Sequence, residues 1–299
     1  MKEELIEKIT VTIGQSMHER HLLENLDNLN GFKFKKPQLQ LDVLDSILHI
    51  SDQDGANFVM LPEFFLPRRY LFSHIKERAI RYGSIIMGGL EYGIDKYPSP
   101  TGNLRLRNEA FIVIPDNLYH NNKSLSGNAT VITIPKLNPA PEEEKNLEHH
   151  GYDFVSGNRI YMFKSNKFGN FAILICFDFL NLPVQAILQS QIQTLFVLTY
   201  NKDVSGFISI ADTMQRMLLC NVIICNTGYY GGSAAFTPLR DRNKRQVLQI
   251  SGNEIQAAVS VRLPINEVWQ VQTTGESNIG SSKYMQRPPD FGRLVRTFI

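Results

Sequence analysis

Three apolar runs in this chain each end on a chemically competent side chain: FVMLPE stops at Glu63, VITIPK at Lys136 and FAILIC at Cys176. A carboxylate can pass protons, an ammonium can stabilise developing negative charge, and a thiol can act as a nucleophile. Taken singly, each has an ordinary structural reading as a solvated glutamate, a snorkelling lysine or a small core cysteine. Their common placement gives them weight together. In open α/β sheets, ligand sites lie beyond the carboxyl ends of the strands, so residues far apart in sequence converge there.

The elements that must position them are short apolar runs rich in β-branched and aromatic residues, separated by longer mixed segments. The pattern predicts strands over 8–13, 57–61, 84–87, 109–114, 130–134, 170–175, 194–199, 222–225 and 254–261. It predicts helices over 38–50, 70–82, 183–191 and 208–220. The helix after Asn181 carries Pro183 in its first turn, and its N-terminal dipole would favour a thiolate at Cys176. The order is mixed α/β with a hairpin-like middle. With no repeat of fixed period, no low-complexity tract and no Gly/Ser/Pro linker, one domain over 1–299 is expected.

With their surroundings, the three positions resemble the carbon–nitrogen hydrolase (nitrilase) superfamily, whose members share a Glu, Lys, Cys set in this order. ANFVMLPEFF around Glu63 resembles the family's apolar strand followed by Pro-Glu. GNFAILICFDFLNLP around Cys176 resembles its apolar-Cys-x-Asp stretch with a downstream Pro, and CNTGYYGGSAAFTP resembles its Asn, Gly and Gly-Ser segment. The resemblance runs over roughly 8–261. It implies a nitrilase-like α-β-β-α sandwich, two mixed sheets flanked by helices. Residues 262–299 are then a C-terminal extension expected to take part in subunit contacts, with the tail from Gly275 to Ile299 expected either to cross to a neighbour or to fold on its own surface.

The chemistry that the resemblance implies is cleavage of a non-peptide carbon–nitrogen bond, as in an amidase, N-carbamoyl amidohydrolase or nitrilase, through a covalent thioester. Cys176 would be the nucleophile, Glu63 the general base, and Lys136 the group that stabilises the tetrahedral intermediate, helped by a backbone amide near Phe177. Many members carry a second glutamate shortly after the Lys. The stretch PEEEKNLEHHGYDFVSG offers Glu142, Glu143, Glu144 and Glu148, of which Glu148 is favoured and Glu144 is second. Tyr200 and Asn201, just after the run LFVLT, are placed to line a substrate pocket. Asp178 is read as a cap or structural hydrogen-bonding residue, Asn226 and Ser233 as structural, and Cys220 and Cys225 as core thiols. An acyltransferase using the same site, or a catalytically silent binding or regulatory protein on the same fold, are the alternatives.

Two features depart from the family pattern. Lys136 is followed by Leu137, Asn138, Pro139, Ala140 and Pro141, whose two prolines predict a differently shaped loop. Val184 and Gln185, rather than a Glu, follow Pro183. The stretch 18–36 is also long for a first strand-to-helix connection and is expected to form an added hairpin or lid.

Composition removes several classes. The chain has 299 residues with 31 basic and 29 acidic side chains, a net charge of +2 that is too small for a nucleic-acid binder. The first residues contain acids and no apolar h-region, and no apolar run approaches the roughly 20 residues of a membrane span. Three cysteines without CxxC spacing argue against a disulfide framework, and reduced thiols fit a cytoplasmic protein. No HExxH, GxSxG, GxGxxG or P-loop occurs, so neither metal nor cofactor is expected. The expected partners are a small amide or nitrile substrate and a second copy of the chain, as a homodimer or larger homo-oligomer.

Overall fold

Apolar residues on both faces of the predicted strands require that each sheet be covered twice, and the computed structural model shows how. It describes residues 4–17, 34–97, 99–100, 102–119 and 127–292. The first large sheet holds β1 (Lys8–Gln15), β2 (Phe58–Met60), β3 (Ile85–Gly89), β4 (Glu109–Pro115) and β5 (Ala129–Pro135). The second holds β6 (Met162–Phe163), β7 (Phe171–Ile175), β8 (Thr194–Leu198), β9 (Asn221–Cys225), β10 (Ser233–Phe236) and β11 (Gln246–Ile250). β12 (Ala257–Pro264) returns to the first sheet, pairing antiparallel along the whole of β1.

The spatial orders are β12-β1-β2-β3-β4-β5 and β11-β10-β9-β8-β7-β6. Both sheets follow one plan. Three parallel strands, β1 to β3 in one and β7 to β9 in the other, have one antiparallel neighbour beside the first and two beyond the third. The parallel strands are joined through helices: α1 (Pro37–Gln53) and α2 (Lys76–Tyr82) in the first half, α4 (Leu182–Leu188) and α5 (Val204–Met217) in the second. Between the halves lies α3 (Pro141–His149).

Alternation along the strands sorts side chains into layers. Phe58 and Met60 of β2, with Ile85 and Met87 of β3, point into the core shared with the second sheet. Val59 and Ile86 point outward, under Leu41, Leu44, Ile47 and Leu48 of α1 and Ala79 of α2. α4 and α5 pack on the second sheet through Val184, Leu188, Phe207 and Ala211. At the centre the Phe58 ring lies 5.2–5.5 Å from those of Phe168, Phe171 and Phe196, closing the inter-sheet space.

Several expectations are corrected. The helix expected over 70–82 is three pieces, a 3-10 turn (Arg68–Tyr70), a π turn (Leu71–Ile75) and α2. The last strand starts at Ala257, because Glu254 adopts a left-handed φ of 56° in the preceding turn. β6, β10, β11, the helices α3 and α6 (Asn266–Thr274), and the short strands Gly93–Ile94, Leu104–Arg107 and Tyr152–Phe154 were not predicted. The boundary expected at 261 falls inside β12, and α6 buries Val268 and Val271 against Leu219, Tyr284 and Met285 of its own chain. The expected 18–36 insertion lies almost wholly outside the described residues. Among the described residues no helix is long and apolar enough to cross a membrane.

Candidate active site

Topology brings one edge of each sheet to a shared cleft. Glu63 follows β2, Cys176 follows β7, and Tyr200 and Asn201 follow β8, all at carboxyl ends of parallel strands. β5 runs antiparallel to β4, which runs antiparallel to β3, so Lys136 leaves the sheet at this same edge. By the same logic the start of β4 lies there too, which delivers Asn108. β2 and β8, the middle strands of their parallel triplets, meet directly, with Tyr200 N–H donating to Glu63 Oε2 at 2.9 Å.

The polar centre is dense and buried. Glu63 and Lys136 are each 1% exposed. Lys136 Nζ donates to Glu63 Oε1 at 3.1 Å and to Glu143 Oε2 at 2.5 Å. Asn108 Nδ2 donates to Glu63 Oε1 at 2.7 Å and Glu143 Oε1 at 2.9 Å, and Tyr92 Oη donates to Glu143 Oε1 at 2.7 Å. Cys176 borders this cluster with 7% exposure, in the left-handed region at φ 47°, and Phe64 beside Glu63 sits at φ 59°. Two non-glycine residues held in strained backbone at two strand ends form a feature typical of sites that must aim a side chain.

The cleft, about 690 Å³, is lined by Glu63, Lys136, Glu143 and Cys176 and by an aromatic wall of Phe64, Tyr92, Phe177, Tyr200 and Tyr230. Ring centroids step along this wall from Tyr92 to Phe64 at 4.8 Å, to Tyr200 at 6.3 Å and to Tyr230 at 5.4 Å. Asn226 braces the floor: its Oδ1 accepts from Asn201 N–H and Thr199 Oγ1, both at 2.9 Å, and its Nδ2 donates to the Asn201 and Gly231 carbonyls.

Burial and charge push the ionisable groups apart. Desolvation raises Glu63, only partly offset by the Lys136 ammonium. Burial also works to raise Glu143, but Lys136 and the donors from Asn108 and Tyr92 hold it below the usual carboxylate range. Burial works to lower Lys136, and the two carboxylates override it and raise it. The Cys176 thiol is pushed up by burial and by Glu63, against the pull of Lys136. At neutral pH the resting cluster is therefore a neutral thiol beside one ammonium, one firmly ionised carboxylate and one carboxylate of raised basicity.

Of the sequence-predicted residues, the structure brings Cys176, Glu63, Lys136, Phe177, Tyr200 and Asn201 to one cleft. Glu148 and Glu144 are not in it; both are exposed on α3, and the glutamate beside Lys136 is Glu143. Helical geometry gives the reason. Leu147 is the one buried residue of α3, and residues four apart share a face, so the inward face carries Glu143. Glu143 is also the third residue of a helix opened by Pro141, from where it reaches back to accept the Ala140 N–H at 3.1 Å. The second of the two prolines after Lys136, Pro141, thus starts the helix that supplies this carboxylate. Asp178 clamps the same loop, accepting from Leu137 N–H and Asn138 N–H at 2.9 Å each. Asn108 and Tyr92 were missed, and their only signal was position: Asn108 immediately precedes an antiparallel strand.

No protein-family model matches the sequence, and no curated protein matches it. Solved structures do. An amidase from Nesterenkonia sp. superposes with a TM-score of 0.60 at 15% identity, covering 88% of this chain and 94% of that one. A mutant of that amidase carrying the product of Michael addition of acrylamide at its active-site cysteine matches at 0.56 and 15%, covering 86% of this chain and 93% of its own. A CN-hydrolase superfamily protein from Xanthomonas campestris, with an arsenic adduct in its active site, matches at 0.60 and 13% identity over 92% of this chain and all of that one. The likeness is one of fold: two mixed sheets between helical layers, as in the nitrilase superfamily.

Proposed function

We propose that this chain, built on the nitrilase-superfamily fold, is a cysteine-dependent hydrolase of a non-peptide carbon–nitrogen bond, of the amidase type. The observation that carries the reading is the buried Glu63–Lys136–Glu143 cluster with Cys176 at its border, in which one ammonium serves two carboxylates of opposite basicity. Environments that drive like groups apart assign their roles. Glu63, raised, takes a proton; Glu143, lowered, stays the permanent counter-ion of Lys136.

The Cys176 sulfur attacks the substrate carbonyl carbon as its proton passes to Glu63, since a thiol raised by burial does not ionise beforehand. The carbonyl π electrons move onto oxygen, where Lys136 Nζ and the backbone amide of Phe177 stabilise the anion. Collapse breaks the carbon–nitrogen bond, Glu63 returns the proton to the leaving nitrogen, and a thioester remains on Cys176. Water then attacks the thioester, giving its proton to Glu63, and the second collapse expels the sulfur, which recovers that proton.

In the Nesterenkonia enzyme, a mutant carries the acetamide moiety of fluoroacetamide at its active-site cysteine, and fluoroacetamide is the first probe here. We expect adduct formation on Cys176 and not on Cys220 or Cys225, and ammonia release from a panel of small carboxamides. Glu63→Gln should slow that release by at least about a hundredfold. An unmodified Cys176 together with no turnover of carboxamides, N-carbamoyl compounds or nitriles would overturn the assignment. The three buried free thiols fit a reducing, cytoplasmic setting, and assembly as a homo-oligomer is the companion proposal, read by light scattering.

A further inference from the structure

We infer that Asn108 is a positioning residue of this reaction, its one side-chain amide fixing the Glu63 and Glu143 carboxylates in place on either side of Lys136. The inference rests on the proposed function. Asn108 is fully buried, and an amide nitrogen carries two N–H groups; Glu63 Oε1 at 2.7 Å and Glu143 Oε1 at 2.9 Å take both. Its backbone carbonyl accepts the Lys136 N–H at 2.9 Å, so one residue sets the start of the lysine as well as both of its counter-ions.

The other end of the side chain separates this role from simple packing. Among the described residues, none offers a hydrogen bond to the buried Asn108 Oδ1. An asparagine held for structure satisfies both ends of its amide, because an unpaired buried polar atom is costly. Here the carbonyl is left unpaired while both donors go to carboxylates, so the nitrogen end is what the position uses. Without it Glu63 Oε1 would keep Lys136 alone, Glu143 Oε1 would keep Tyr92 alone, and nothing would tie the two oxygens to one point. Asn108 is itself held from both sides, between the strand Leu104–Arg107 and β4.

The test is the pH dependence of Cys176 alkylation by iodoacetamide, followed by peptide mass spectrometry in wild type, Asn108→Ser and Asn108→Ala, with Cys220 and Cys225 as internal references. Serine keeps one donor and alanine none. Loss of a donor to the Glu63 carboxylate makes it more basic, so the acid limb moves to higher pH, by about one unit for alanine and less for serine. The rate at neutral pH should fall about tenfold for alanine. Rates are read on the folded fraction, so a variant that melts earlier still reports its midpoint. An unchanged midpoint in both variants, with a normal acid limb in wild type, would reduce Asn108 to a structural residue and overturn this inference alone. A wild-type Cys176 that reacts no faster than the two core cysteines would overturn the proposed function and this inference with it.

Discussion

Gly89, the last residue of β3, decides where Glu63 can sit, and Gly89→Ala measures that dependence. A Cβ at this position would lie 2.3 Å from the Phe64 nitrogen, 2.5 Å from Glu63 Cα and 2.7 Å from the Glu63 carbonyl carbon. All three are backbone atoms, so no rotamer change relieves the contact. Non-bonded heavy atoms settle at about 3.5 Å or more, so the Glu63–Phe64 segment must retreat by roughly 1 Å. It cannot do so freely, because Gly89 N–H donates to Pro62 O and Leu66 N–H donates to Gly89 O, each at 2.9 Å. Overpacking of this kind costs about 1–3 kcal/mol, or a melting temperature lower by roughly 2–12 °C. The larger effect is on chemistry, since a 1 Å displacement of a positioned group can cost on the order of a hundredfold in rate. Differential scanning calorimetry gives the first quantity, and fluoroacetamide labelling of Cys176 gives the second. A variant with wild-type melting and wild-type labelling would show that β3 does not buttress Glu63.

Three further outcomes follow from the same contacts. Glu143→Gln should lower amide turnover by about a hundredfold while Glu148→Gln stays within about twofold, read by ammonia release; equal effects would sink the assignment of Glu143. Lys136→Met leaves two buried carboxylates without their cation and should cost about 3–5 kcal/mol at neutral pH. In that variant both carboxylates have folded pKa values above their unfolded ones, so stability must recover as pH falls, and urea melts with no such recovery would refute the reading. Asp178 is raised by burial to about 6 from an unfolded value near 3.8, so the folded chain binds more protons between those values and its stability falls as pH rises through that window, by up to about 3 kcal/mol. Asp178→Asn should flatten this dependence while giving up an acceptor for Leu137 or Asn138 N–H, and an unflattened curve would exclude Asp178 as its source.

How much of this was legible in the sequence depended on whether a strand carried its own apolar pattern. Parallel strands buried on both faces read as continuous apolar runs, so β2, β7 and β8 were visible, and with them the residues that follow: Glu63, Cys176 and Tyr200. β10 reads Ser-Ala-Ala-Phe and β6 only Met-Phe, too small and too short to announce a strand, although both complete the second sheet. The π turn at Leu71–Ile75 keeps an apolar spacing that passes for one helix. In the site, residue type revealed Glu63, Lys136 and Cys176, but the second glutamate had to be chosen among four. The favoured Glu148 is exposed on α3, while the position of Leu147 contained the answer. Asn108 and Tyr92 carry no motif of their own; only the antiparallel turn-back of β4 and the fold of the rim place their polar atoms on Glu143.

The two halves of the molecule make unequal use of one plan, and this inequality creates the site. The middle strand of the first sheet ends in Glu63, whereas the middle strand of the second ends in Tyr200, whose backbone N–H binds that carboxylate. The first strand of the second triplet ends in Cys176, and its counterpart, β1, ends in Gln15, which is buried and spent on structure, accepting from Ser233 N–H and donating to Ile255 O. One sheet therefore supplies the proposed base, Glu63, and, through the hairpin of β4 and β5, Lys136; the other supplies the proposed nucleophile, Cys176, and a backbone amide that binds the Glu63 carboxylate. Each sheet alone leaves an incomplete set, so the apolar contact between them, centred on Phe58, is a condition of the proposed chemistry as well as of the fold. A core substitution such as Phe58→Leu, which loosens that contact without touching any polar group, should slow Cys176 labelling as well as lower the melting temperature. Labelling that stayed at the wild-type rate in a destabilised variant would show the two edges are held together by the polar cluster alone.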